Sequence, residues 1–122
     1  MIKIREMQSD DIEGALAIWG DVFHKEPRSA RGYLPLFLEK NPGSCFIAEV
    51  EGKIVGVILG SFNGRAGYLN RIAVKRDFQG REIASELIKS SVRVLRNAGA
   101  PSIFLHCNPK LEKSLQKRFN IS

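Results

Sequence analysis

The sequence predicts a mixed α/β domain, an antiparallel meander followed by a βαβ crossover, with helices on both faces of one sheet. Three observations carry this expectation. The β-rich runs SCFIAEV (44–50), KIVGVILGSF (53–62) and YLNRIAVK (68–75) follow one another across short turns at Glu51-Gly52 and Asn63-Gly64, the pattern of hairpin-connected strands. A helical apolar period over 80–98 is followed at once by the apolar run SIFLHC (102–107), which gives strand, helix and strand with two parallel strands. A length of 122 residues, with 43% hydrophobic and 26% charged side chains, suits one globular domain, 1–122, with a real core.

Each element has its own justification. IKIREM (Ile2–Met7) alternates apolar and charged residues, as a half-buried strand does. Ser9 offers an N-cap, and Asp10, Asp11 and Glu13 favour the positive end of a helix dipole. Ile12, Leu16, Trp19 and Phe23 then recur at helical spacing, which predicts an amphipathic helix over 10–23. A second, less regular helix is expected over 28–40, with Pro35 inside it as a possible break. Asn41-Pro42-Gly43 closes that region with turn chemistry. Ile83, Leu87, Ile88, Ser91, Val94 and Leu95 give the next helix its buried face, with Gly99 as the residue just past its end. A short basic helix is expected from Lys110 to Phe119.

Composition narrows the function. Cys45 and Cys107 are the two cysteines, each within an apolar run and without metal-ligand spacing, so buried thiols in a reducing cytoplasm are expected and no metal site is. No apolar run approaches the roughly 20 residues that span a bilayer, and MIKIREMQSDD lacks the apolar core of a signal peptide. The net charge of +6 is uneven: residues 1–63 carry seven basic and nine acidic side chains, residues 64–122 twelve and four. A basic half attracts polyanions, either nucleic acid or a phosphorylated cofactor.

The stretch VKRDFQGREIASELI (74–88) is the most informative. An apolar strand enters a basic turn with a glycine, and an amphipathic helix follows, expected to begin near Gly80. The first N–H groups of such a helix lack intrahelical partners, so they and the dipole form an anion site. Arg81 and Arg76 add charge and Gln79 an amide donor. Any α/β loop with a glycine and some arginines has these features, so from them alone an anion site and an ordinary loop both stand.

The same residues resemble motif A of the GNAT superfamily of N-acetyltransferases, whose pattern runs V-x-P-x-(F/Y)-(R/Q)-G-x-G-(I/V)-(G/A)-x-x-L. Phe78, Gln79, Gly80, Ile83, Ala84 and Leu87 match in register, and the element order matches from the first strand to the strand ending at Cys107. The resemblance implies the GNAT, or acyl-CoA N-acyltransferase, fold and an acetyl-CoA-dependent transfer of acetyl to an amine that attacks the thioester directly. It implies that acetyl-CoA, as co-substrate, lies where the third meander strand and the crossover strand splay apart. Backbone groups of Ile72, Ala73 and Val74 would then pair with the pantetheine arm and polarise the thioester. The loop Gln79, Gly80, Arg81, Glu82, Ile83, Ala84 and Ser85 would wrap the pyrophosphate, and Asn108 would lie near the pantetheine.

The sequence departs from the pattern in two places. Glu82 occupies the position of the second glycine, where a Cβ obstructs close backbone approach and a carboxylate repels phosphate. After Asn108 the chain reads Leu111, Leu115 and Phe119-Asn120, with no tyrosine where the family has its proton donor; no catalytic residue is therefore assigned. The sequence also stops at Ser122, before two further strands of the pattern, so an unpaired edge at 102–107 is expected, with a homodimer through it or a segment covering it. Alternatives at this level are a non-catalytic acyl-CoA-binding or assembly module and a nucleic-acid binder using the basic half. Nucleic acid is disfavoured because interleaved exposed aromatics are missing. His24 and His106 are expected in local roles, Glu49 on a solvated face, and Trp19, Tyr33 and Phe37 in the core. The acceptor, a small molecule or a protein amine, is not legible.

Overall fold

The computed structural model describes residues 1–27 and 29–106. Along these, β1 (Ile2–Glu6), α1 (Ile12–Phe23), α2 (Ala30–Lys40), β2 (Phe46–Val50), β3 (Lys53–Phe62), β4 (Gly67–Val74), α3 (Ile83–Asn97) and β5 (Ile103–Leu105) succeed one another. They build one five-stranded sheet in the order β1-β2-β3-β4-β5. The first four strands are antiparallel, and β5 lies parallel to β4, with Gly67 opposite Ile103 and Leu69 opposite Leu105. The predicted meander and crossover are both present.

Each face of the sheet closes its own core. Ile83, Leu87, Ile88 and Leu95 of α3 pack on Ala48, Ile58, Leu69 and Leu105. On the other face Leu16 and Trp19 of α1 and Leu34 of α2 pack on Ile47, Val57, Leu59 and Ala73. The neighbours Val57, Ile58 and Leu59 divide between the two cores because successive strand residues point to opposite faces. That is why β3, covered on both sides, is a continuous apolar run.

Several expected boundaries move. A 3-10 turn, Ser9–Asp11, precedes α1, and the cap is made by the Asp11 carboxylate accepting Gln8 N–H at 2.8 Å, not by Ser9. Pro35 does not break α2, which runs unbroken from Ala30 to Lys40. Its end is secured by Asn41, whose Nδ2 donates to Phe37 O at 3.1 Å while its Oδ1 accepts Phe62 N–H at 3.2 Å. The predicted strand 102–107 is shorter, Ile103–Leu105, while Lys53–Phe62 falls as expected. Helix α3 begins at Ile83, not near Gly80, because Gly80 and Glu82 both hold positive φ, 81° and 64°, outside the right-handed region a helix requires. It ends as expected, with Gly99 at φ 100° and Ala100 N–H bonded to Leu95 O at 3.0 Å. The expected helix Lys110–Phe119, together with Cys107 and Asn108, lies outside the described residues.

Candidate functional site

The site grows from a strand that loses its neighbour. β5 pairs with β4 only from Gly67 to Leu69, and the last bond across is His106 N–H to Leu69 O at 2.9 Å. From Asn70 to Val74, β4 has β3 on one side and, among the described residues, no strand on the other. Among the described residues, that edge of β4 beyond Leu69 is unpaired.

A bulge decides which groups face that opening. Gly67 N–H and Leu69 O both point to β5, whereas Lys75 N–H points to Val55 O of β3 at 2.8 Å. Strict alternation from Leu69 would turn Arg71 and Ala73 to the open edge. Instead the register steps from Leu59 opposite Asn70 to Val57 opposite Ala73, so β4 carries one extra residue at Arg71-Ile72. Arg71 absorbs the irregularity with φ 54°. The shift hands the open edge to the backbone groups of Ile72 and Val74 and turns those of Ala73 towards β3. Of the three predicted residues, two therefore present polar groups to the opening.

Beyond Val74 the chain makes a 3-10 turn, Arg76–Phe78, closed by Phe78 N–H to Lys75 O at 2.8 Å. Gln79 follows in extended conformation and Gly80 at φ 81°. A Cβ at Gly80 would meet no atom within 4 Å, so glycine serves backbone conformation here, not space. Arg81 and Glu82 complete the loop, and the first bond of α3 is Glu86 N–H to Glu82 O at 3.1 Å. The N–H groups of Ile83, Ala84 and Ser85 thus sit ahead of the first intrahelical bond, at the positive end of a 15-residue helix. Positive φ at Gly80 and Glu82, alternating with ordinary φ at Arg81, curves successive N–H groups into a concave run of the kind that holds anions.

Three side chains in this loop take places the sequence did not reveal. Gln79 Nε2 donates to Val74 O at 2.9 Å, so its carboxamide closes one acceptor of the open edge. The Arg81 guanidinium lies over the Phe78 ring, 5.1 Å from its centroid. Arg76 Nη2 donates to Asp21 O at 3.3 Å and lies 3.4 Å from His24 Nε2, which ties the loop to the carbonyl end of α1. His24 is the left-handed C-cap of that helix, at φ 68°.

The remaining candidates fall as follows. His106 stacks on Tyr68 with ring centroids 6.0 Å apart, and Tyr68 stacks on Phe104 at 5.6 Å. Glu49 pairs with Arg5 at 3.3 Å. Tyr33 and Phe37 contact each other at 6.2 Å on the half-buried face of α2. Cys45 is buried, and removal from water pushes its thiol up to about 11, which makes it a poor nucleophile at neutral pH. Asn108 lies outside the described residues. Sequence reading missed the bulge and the contact that backs it, Trp19 Nε1–H to Arg71 O at 2.7 Å. A signal for the bulge existed: Asn70-Arg71 interrupts the alternation, and two buried residues, Ala73 and Val74, then stand side by side.

A strand edge left open beside a helix N-terminus offers hydrogen bonds to an extended amide chain and a cradle for phosphate at its end. Comparisons with known proteins bear on the family and the fold. The family model described as the acetyltransferase (GNAT) family matches residues 4–117. An acetyltransferase of Pectobacterium atrosepticum is 31% identical over 105 residues, which cover 85% of this chain and 74% of that protein. The crystal structure of a candidate acetyltransferase from Pyrococcus horikoshii matches 98% of this chain with a TM-score of 0.85 at 26% identity, although the chain spans only 42% of that protein. A GNAT family acetyltransferase from Brucella melitensis, solved in complex with acetyl-CoA, has a TM-score of 0.78 at 22% identity over 98% of this chain and 81% of its own. These relatives support acetyl transfer over the non-catalytic module and the nucleic-acid binder. Among the described residues no helix is long and apolar enough to cross a membrane. The chain belongs to the GNAT family of acetyltransferases, and the reaction its fold serves is acetyl transfer from acetyl-CoA to an amine.

Proposed function

We propose that the open edge of β4 and the N-terminus of α3 are this chain's acetyl-CoA seat, and that an acceptor amine attacks the thioester there. The observation that carries the reading is the adjacency of the two: backbone groups of Ile72 and Val74 on an unpaired edge, and the concave loop Gln79–Ser85 a few residues on. The pantetheine amides extend the sheet along Ile72 and Val74, with Ala73 holding that segment to β3. The pyrophosphate lies against the N–H groups from Gly80 and Arg81 through Ile83, Ala84 and Ser85. Gln79 acts by fixing Val74 O, and Asn108 is assigned to the pantetheine arm by resemblance. Glu82 weakens the phosphate cradle through its charge.

In the reaction the neutral amine's lone pair forms the C–N bond, the carbonyl oxygen becomes an oxyanion that accepts a backbone N–H, and the C–S bond breaks. The nitrogen's surplus proton leaves to water or a base, and the coenzyme A thiolate takes one back. With no tyrosine at the family's position, water or a group of the acceptor supplies that proton. The acceptor is a primary amine of a small molecule, a protein N-terminus or a lysine. The outer edge of β5 has no strand beside it among the described residues, which favours a homodimer through it. The buried thiol of Cys45 suits a reducing cytoplasm.

The test is calorimetric titration with acetyl-CoA followed by thiol release against a panel of amines. Saturable binding with amine-dependent release supports the reading. Binding without turnover would make the chain a cofactor-holding module. Absence of binding, with salt-sensitive attraction to polynucleotide, would replace the reading altogether.

A further inference from the structure

The bulge in β4 is strained and has a support on the far side of the sheet. Arg71 is an exposed, non-glycine residue held at φ 54°, a conformation that side chains with a Cβ adopt reluctantly. Its carbonyl accepts the indole N–H of Trp19 at 2.7 Å, across 52 residues of sequence. Trp19 is fully buried on α1, in the cluster that also holds Ala73 and Val57, so its ring is fixed by packing and its N–H points one way. α1 grips the far end of the same segment as well, through Arg76 Nη2 to Asp21 O at 3.3 Å. Helix α1 therefore splints β4 from Arg71 to the loop, over the residues whose phase the bulge sets.

We infer that Trp19 is a positioning residue for acetyl transfer. Its indole N–H holds Arg71 O and so keeps the extra residue of β4 at Arg71-Ile72, which leaves the Ile72 and Val74 amides on the open edge. Loss of the N–H leaves a carbonyl without its partner and a strained residue without its anchor. The bulge can then relax along the strand, and each shift by one residue exchanges which amides face the opening. The nucleotide end of the seat, the N–H groups of Ile83, Ala84 and Ser85, is set by α3 itself and meets the bulged segment only through Gln79 Nε2 to Val74 O. The inference rests on the proposed acetyl-CoA seat and predicts a defect confined to one end of it.

The test compares two probes, acetyl-CoA and 3′-phospho-ADP, the latter carrying the nucleotide without the pantetheine arm. Trp19→Phe keeps most of the ring and removes the donor. It is expected to weaken acetyl-CoA binding about tenfold, the worth of one good hydrogen bond, and to leave 3′-phospho-ADP within about twofold by the same arithmetic. Adding Arg71→Gly, which accepts positive φ without an anchor, is expected to recover most of the lost affinity. A role for Trp19 in core packing alone predicts equal loss for both probes and no rescue, and either result overturns the inference. Should Trp19→Phe fail to fold, the chain's single tryptophan can be replaced by β-(3-benzothienyl)alanine, which has the indole's shape with sulfur in place of N–H. Unchanged acetyl-CoA affinity in that protein would overturn the inference. If the unaltered protein binds acetyl-CoA without moving the Ile72 and Val74 amide resonances, the seat itself is wrong and the inference falls with it.

Discussion

Glu82 is the residue at which local strain and function meet. The family pattern has glycine there, and the reason is visible in the backbone: φ is 64°, at the entry to α3. A residue with a Cβ gives up about 1 kcal/mol in that conformation, while glycine would lose a similar amount of extra chain entropy on folding. Glu82→Gly should therefore leave the backbone contribution to stability unchanged to within about 1 kcal/mol. It should tighten acetyl-CoA binding several-fold by removing a carboxylate from the phosphate cradle, and calorimetry returning equal or weaker affinity would contradict that role. A second residue sets a pH limit. Asp11 is buried and takes both guanidinium nitrogens of Arg5 at 2.8 Å. The bond to Arg5 holds its carboxyl below the usual carboxylate range against the opposite pull of burial. The unfolded chain then binds the proton more readily, so the pair's contribution is whole above about pH 4, the ordinary Asp value, and is lost as pH falls through the lower folded value. Asp11→Asn should cost about 2 kcal/mol at pH 7, and denaturant titrations should show its gap from the unaltered protein narrowing below pH 4.

At the scale of elements, the same residue type has opposite worth in a helix and a strand. Gly20 lies in α1 with no atom within 4 Å of where a Cβ would stand. Gly20→Ala should stabilise the protein by about 0.7 kcal/mol, the difference in helix propensity. Gly60 lies in β3 where a Cβ would overlap the Ser44 carbonyl oxygen. That oxygen is also pinned, accepting Ser91 Oγ–H at 2.9 Å, while Ser44 Oγ–H donates to Gly60 O at 2.7 Å. With both backbones tied, neither can give way, and Gly60→Ala should cost about 3 kcal/mol. Chemical denaturation of the two variants side by side checks both signs; a neutral Gly60→Ala would mean that the Ser44 turn yields more easily than its bonds suggest.

At the scale of the whole molecule, no strand among the described residues meets the outer edge of β5. That strand is three residues long, with Phe104 39% exposed and stacked on Tyr68. An unpaired backbone edge is a template for pairing, and a three-residue strand offers a short one. Sedimentation should show concentration-dependent association, and Phe104→Lys should weaken it. A strict monomer at high concentration would remove the dimer from consideration.

The sequence by itself determined the architecture. The β-rich runs at 53–62 and 68–75, the turn pair Glu51-Gly52, which holds φ 51° and 78°, and the helical period through Leu95 each encode a local preference that the folded chain keeps. The motif around Gly80 also located the loop, because glycine and a helix start are local signals. What only the tertiary structure decided is phase and partnership. Whether Ile72 or Ala73 faces the opening depends on one extra residue in β4, held by a tryptophan 52 positions earlier. The start of α3 at Ile83 depends on left-handed φ at Gly80 and Glu82, and a propensity scale, which rates glutamate a good helix former, carries no sign of the second. Gln79 looked like a ligand for phosphate and instead closes Val74 O, since a free carbonyl on an open edge takes the nearest donor. Periodicity along a chain records which face a residue buries. It carries no record of which distant group accepts its hydrogen bond, and in this protein those bonds shape the site.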